Sequence, residues 1–165
     1  MISIPDRFLV NGRETDNVFA PDEHLFFRFN PTHFSDDMRL PVAAIRFPDF
    51  SVNREKFSQP SDVLVPKWID WGIAQVKVES VPKALECEAN KKMRTIFFRV
   101  EHDPIDKNHR AYEKQMFENY AHSEIRAFEN GKHLEKKLPE SIKKRFRMML
   151  SDATKIDVIL NPAPE

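Results

Sequence analysis

The segment Tyr120-Ala121-His122-Ser123-Glu124-Ile125-Arg126-Ala127-Phe128 sets an imidazole, a carboxylate and a guanidinium at two-residue spacing. In an extended chain alternate side chains share a face, so His122, Glu124 and Arg126 stand together while Ala121, Ser123, Ile125 and Ala127 face the other way. Such a row can transfer a proton and hold an anion, with Glu124 tuning His122. A solvated strand face has the same pattern, because charges on an exposed sheet surface need no further role.

A second histidine, His102, ends the run Thr95 to His102, in line with Ile96, Phe98 and Val100 and just before Asp103-Pro104. If it shares a cleft with His122, two neutral imidazoles can divide acid and base roles in phosphodiester chemistry. The plainer alternative is that His102 caps the turn or closes the core edge. The His-x-Thr repeats of two-histidine phosphoesterases are absent. His24, His33, His102, His109, His122 and His133 form no His-x-x-x-His or His-Glu-x-x-His pair, so no metal is expected. A set of His122, His102 and one carboxylate requires the fold to assemble it.

Two further groups carry chemical potential. Between Lys132 and Arg147, seven Lys or Arg stand against two Glu, the strongest local surplus in the chain. Within it Lys143, Lys144, Arg145 and Arg147 project from a helix and could meet nucleic-acid phosphates, or simply complement the helix dipole. No RNP-like aromatic motif accompanies them. Trp68 and Trp71 could floor a base-stacking pocket, or anchor a loop to the core.

The elements that position these groups follow from pattern. Apolar runs and alternation mark strands at Phe8 to Val10, His24 to Asn30, Ala43 to Phe47, Ile73 to Ser80, Thr95 to His102, Tyr120 to Phe128 and Ile156 to Leu160. Asn130-Gly131 predicts a tight turn into a return strand through Leu134, and Asn11-Gly12 a similar turn. The clearest helix runs from Pro139 to Ser151, with Ile142, Phe146, Met149 and Leu150 on one face. A weaker stripe of Tyr112, Met116 and Phe117 suggests a helix or ordered loop over Lys107 to Asn119, and Ser58 to Asp62 a short capped helix ended by Pro66. The expected class is α+β: a mixed or mainly antiparallel sheet or partial barrel of about seven strands with a C-terminal amphipathic helix packed on it. One domain over residues 1–165 is expected, with 161–165 a frayed tail.

Bulk composition limits the functions open to the chain. With 26 basic and 26 acidic residues, no global field draws it to nucleic acid or membrane. Three glycines exclude Gly-rich phosphate loops, so neither Walker nor Rossmann chemistry is available and no cofactor is expected. The single cysteine, Cys87, excludes a disulfide framework and fits a reducing compartment. The N-terminus lacks a basic then apolar leader, and no run is long enough to span a bilayer, so a cytoplasmic location without membrane contact is expected.

Three blocks carry a resemblance. They are His24-Leu25-Phe26-Phe27-Arg28-Phe29, then Phe50-Ser51-Val52-Asn53-Arg54-Glu55-Lys56-Phe57-Ser58-Gln59-Pro60, then His102-Asp103-Pro104 leading to Asn119-Tyr120-Ala121-His122. Together they resemble a group of small bacterial proteins of no known activity, marked by Leu-Tyr-Arg-Arg, Ser-Val-Asp-Arg and Asp-Pro…Asn-Pro-x-His. Here Phe27 replaces the Tyr, Phe29 replaces the second Arg, and a longer segment precedes Tyr120. The chain order Arg28, Ser51, Glu124 is also similar to that of ADP-ribosyltransferase-like folds. That similarity implies Arg28 holding a cofactor phosphate, Ser51 ordering Arg28, and Glu124 polarising a ribose hydroxyl. A Ser-Thr-Ser block and a Glu-x-Glu or Gln-x-Glu pair are missing.

Three functions are therefore expected in order. The first is a small binding or adaptor domain of a bacterial accessory system, of defence or conflict type, with a protein partner. The second is a nucleotide- or RNA-acting enzyme, ADP-ribosyltransferase-like in one version, using His122, Glu124 and Arg126 with Arg28, His102 and Ser51. The third is an RNA-binding module centred on Lys143, Lys144, Arg145 and Arg147. Composition does not specify an oligomeric state.

Overall fold

The described strands share their backbone hydrogen bonds in one open antiparallel sheet. The computed structural model describes residues 15–30, 40, 42–46, 49–115, 117–134, 138–154 and 158–159. Its strands are β1 (His24–Phe29), β2 (Asp49–Arg54), β3 (Gly72–Lys77), β4 (Ala84–Ala89), β5 (Lys92–His102), β6 (His122–Glu129), β7 (Lys132–His133) and β8 (Val158–Ile159). Seven run side by side in the order β4-β5-β6-β2-β1-β3-β8, and the two-residue β7 pairs with the end of β6. Every pairing is antiparallel. The described α-helices are α1 (Tyr112–Gln115) and α2 (Glu140–Ala153). The expected α+β class with a seven-strand sheet and a C-terminal helix is what forms, with the sheet unclosed.

Alternation divides the sheet cleanly. Leu25, Phe27, Phe29, Phe50, Val52, Ala74, Val76, Ile96, Phe98, Ile125 and Ala127 fill the core face. Onto it α2 lays Ile142, Phe146 and Leu150, all at or below 1% exposure, with the Phe146 ring stacked 4.3 Å from Phe98. Side chains four apart share a helix face, so this stripe suffices to seat α2. Met149, expected on that face, is instead 38% exposed. Gly72 is required where Phe29 crosses it, since a Cβ there would meet the ring at 2.5 Å.

Several expected elements differ. Ala43 to Phe47 is no strand in its described part: Val42–Ala44 forms a 3-10 turn, alanine being a weak strand former. Of the helix or ordered loop expected over Lys107 to Asn119, the described part is mainly loop with the short helix α1, its ends brought together where Ile105 and Asn119 bridge as an antiparallel pair. At Ser58 to Asp62 the turn is 3-10 over Pro60–Val63. Its cap is Gln59, whose N–H donates to Asp62 Oδ2, while Ser58 Oγ donates to the Arg54 carbonyl. Strands β2 and β4 were not among the expected runs. The strand Phe8 to Val10, the Asn11-Gly12 turn and the tail 161–165 lie outside the described residues, and β8 is the described part of Ile156 to Leu160. Among the described residues no helix is long and apolar enough to cross a membrane.

Candidate functional site

On the face away from α2, β2 and β6 bring a hydroxyl to an imidazole. Residues Ser51 and Asn53 of β2 lie across from Glu124 and His122 of β6. From that position Ser51 Oγ sits 3.0 Å from His122 Nε2, and His122 Nδ1 sits 2.6 Å from the Asp103 carbonyl oxygen. A carbonyl can only accept, so Nδ1 carries the proton and Nε2 presents its lone pair. Ser51 must then donate its hydroxyl proton to Nε2. His122 is 4% exposed, whereas Ser51 is open to solvent. Burial pushes the imidazole below its ordinary value of 6.5, against the opposing pull of the Asp103 carbonyl and the Glu124 and Asp103 charges. His122 is thereby a neutral base at neutral pH, aimed at an exposed hydroxyl.

The rest of the row surrounds that base. Glu124 Oε1 lies 3.9 Å from His122 Nε2, close enough to stabilise the ring once it gains a proton. Arg126 donates to Glu101 and Asp103 at 2.9 Å and through Nε to Glu124 at 3.0 Å. Burial works against the Arg126 cation, but the bond to Glu101 and the Glu124 and Asp103 charges outweigh it and bind its proton more tightly than usual. The closed loop above β6 adds Arg110, whose Nη2 donates to Glu124 Oε2 at 3.2 Å, and His109, whose Nε2 donates to Asp103 Oδ2 at 3.0 Å. Burial raises the Asp103 pKa, but the His109 bond and the surrounding cations, Arg126 among them, bring it below the ordinary carboxylate value. Asp103, Asn108, His109, Arg110 and Arg126 line an open cavity of about 310 Å³.

Asp103, His109 and His122 offer ligand atoms within 4.8 Å of one another, the one described cluster with metal-binding proximity. Its hydrogen bonds oppose a metal. His109 Nδ1 accepts the Ala111 N–H, which leaves Nε2 protonated and without a lone pair, and Arg126 already occupies Asp103.

The other sequence candidates fall elsewhere. His102 pairs with Ser123 across β5 and β6, on the core face, and not in a cleft with His122. Its Nδ1 accepts the Asp16 N–H at 2.8 Å and its Nε2 donates to the Tyr120 carbonyl at 2.6 Å, so both ring nitrogens are engaged. Arg28 lies on β1, beside β2 and on the same face as Ser51, but its guanidinium turns to the Val63 carbonyl and stacks on Trp68. Of the basic helix, Lys143 pairs with Glu140, Arg145 donates to the Glu86 carbonyl on the edge strand β4, and Arg147 is half-buried with an unbonded Nε. Lys144 is exposed. Residues Glu101, Asp103, His109 and Arg110 were missed as site members. Their signal, a run of charged and imidazole side chains from 101 to 110, was readable, but its return over β6 depends on the Ile105 to Asn119 bridge.

Compared with known proteins, the chain matches no family model, no curated protein and no solved structure.

Proposed function

We propose that the chain is an enzyme, a hydrolase or transferase of the nucleotide- or RNA-acting kind, in which Ser51 is the nucleophile and His122 its base. The observation that carries this reading is the exposed Ser51 hydroxyl donating to a buried histidine whose tautomer a backbone carbonyl has set. In the reaction, Ser51 Oγ forms a bond to the electrophilic carbon or phosphorus of an ester while its proton passes to His122 Nε2. Glu124 stabilises the imidazolium, which returns the proton to the departing oxygen. Water then attacks the Ser51 adduct with the same base, releasing product and restoring the hydroxyl. Arg126, held by its carboxylates, frames Glu124 rather than gripping substrate.

A fluorophosphonate reagent tests the reading. The expected result is a single adduct on Ser51 by peptide mass spectrometry, forming at least ~100-fold more slowly in a folded His122→Gln variant, as loss of a general base implies. No adduct on Ser51, or an equal rate in the variant, contradicts it.

A second reading, the binding or adaptor domain, draws on Met93 and Phe97, which are 69% and 53% exposed on the outer face of β5. A stoichiometric protein partner lost on Phe97→Asp, together with an unreactive Ser51, would favour it.

A further inference from the structure

Arg28 is a mostly buried cation whose charge no described residue neutralises. Its Nη1 donates to the Val63 carbonyl at 3.2 Å, and its Cζ lies 3.9 Å above the Trp68 ring. No described carboxylate pairs with it, and the charge that bears on it is a second guanidinium, Arg46. Burial, with that repulsion, lowers its pKa to about 10. Lys67 brings a third cation, its ammonium 5.1 Å from the same Trp68 ring. Trp71 stands 5.9 Å from Trp68, tilted by 56°, and both indoles are half-buried. A desolvated charge is costly unless paired, so a site that keeps one unpaired is built for an anion that arrives from outside. Elsewhere on the same sheet face the arginines are matched. Arg126 has three carboxylates and Arg99 is held by Glu101.

We propose that Arg28, Arg46 and Lys67, with the indoles of Trp68 and Trp71, form a subsite for a nucleoside phosphate, free or as one residue of a single-stranded oligonucleotide. The planar guanidinium, pre-set against Trp68, takes two phosphate oxygens side by side, and Trp71 offers an aromatic surface to the base. A bare anion would need the cations but not the paired indoles. The subsite is one strand from Ser51 on the same face of the sheet, since β1 and β2 are neighbours. As the substrate-binding half of the enzyme, the subsite rests on the Ser51 reading. As a binding site it stands alone.

Indole fluorescence reads the subsite directly, because both tryptophans of the chain belong to it. Adenosine monophosphate is expected to change the emission saturably, with inorganic phosphate competing and affinity falling as salt rises. Arg28→Met should weaken binding about tenfold or more, the loss of a charged bidentate contact, while its melting stays near that of the parent. A short oligoadenylate binding far more tightly than the mononucleotide identifies a strand as the source, and equal binding identifies the free nucleotide. Ser51→Ala should bind unchanged, so failure of the nucleophile and failure of the subsite are separate results. No saturable response to either adenylate, an unaltered affinity in Arg28→Met, or tighter binding of an acidic peptide overturns the proposal.

Discussion

Arg54 and Arg28 lie on adjacent strands of one sheet and have opposite surroundings. Arg54, wholly buried, donates through Nε and Nη2 to the two Glu23 oxygens at 2.9 Å, and further to the carbonyls of Asp16 and Val18. Phe19 and Phe57 lie over its guanidinium at 4.0 and 5.1 Å. Four of its five N–H donors are used within the fold. Among the described residues Arg28 has a single carbonyl, one ring and a repelling Arg46. The difference teaches that burial of a cation does not reveal its purpose. The completeness of its compensation does, since a satisfied buried charge holds structure together while an unsatisfied one keeps capacity for a ligand.

Substitution breaks or sharpens this contrast. Glu23→Gln removes the hydrogen-bonded countercharge of Arg54, leaving Asp16 at 3.9 Å, and should cost about 3 kcal/mol in urea unfolding, the low end of the penalty for breaking a buried ion pair. Arg28→Met removes a charge that has no countercharge among the described residues and should leave stability within about 1 kcal/mol of the parent. Equal losses from the two would dissolve the distinction.

A smaller effect comes from pH. Burial holds His102 and His122 below their ordinary 6.5. Arg54 and His122 add repulsion at His102, partly offset by the Tyr120 carbonyl and Asp16. His109 repels at His122, against Glu124 and Asp103. Because the folded pKa values are depressed, the unfolded chain binds more protons as pH falls below about 6.5. The stability from these two histidines is therefore complete above that value and declines below it. Urea midpoints at pH 8, 6.5 and 5 should show a drop across the last interval, lessened by His102→Gln near Arg54. A flat midpoint down to pH 5 would show that neither ring is held neutral.

Much of the sheet was legible because its core residues alternate strictly. His24 to Asn30 and Tyr120 to Phe128 match β1 and β6 closely, and Asn130-Gly131 makes the expected turn, both residues having positive φ of 50° and 74°. The strand β4 was hidden because Glu and Ala are weak strand formers and its turn is Asn90-Lys91, where a lysine takes φ of 62° without glycine to announce it. At the candidate site, the shared face of His122, Glu124 and Arg126 could be read from spacing alone. The Ser51 to His122 contact could not, because it depends on which strands become neighbours, and the loop that brings Asp103 and His109 over β6 depends on a long-range bridge. The hairpin partners β4 and β5 are local, whereas β2 reaches β6 across some seventy residues of chain.

The nucleophile assignment reduces to where one proton sits. Nitrogen-15 NMR of imidazole-labelled protein at neutral pH should show His122 uncharged, with Nδ1 protonated and Nε2 bare, and the Nε2 resonance should move in Ser51→Ala as it loses its donor. A proton found on Nε2, or a charged ring at that pH, would contradict the account, since Ser51 would then face no base.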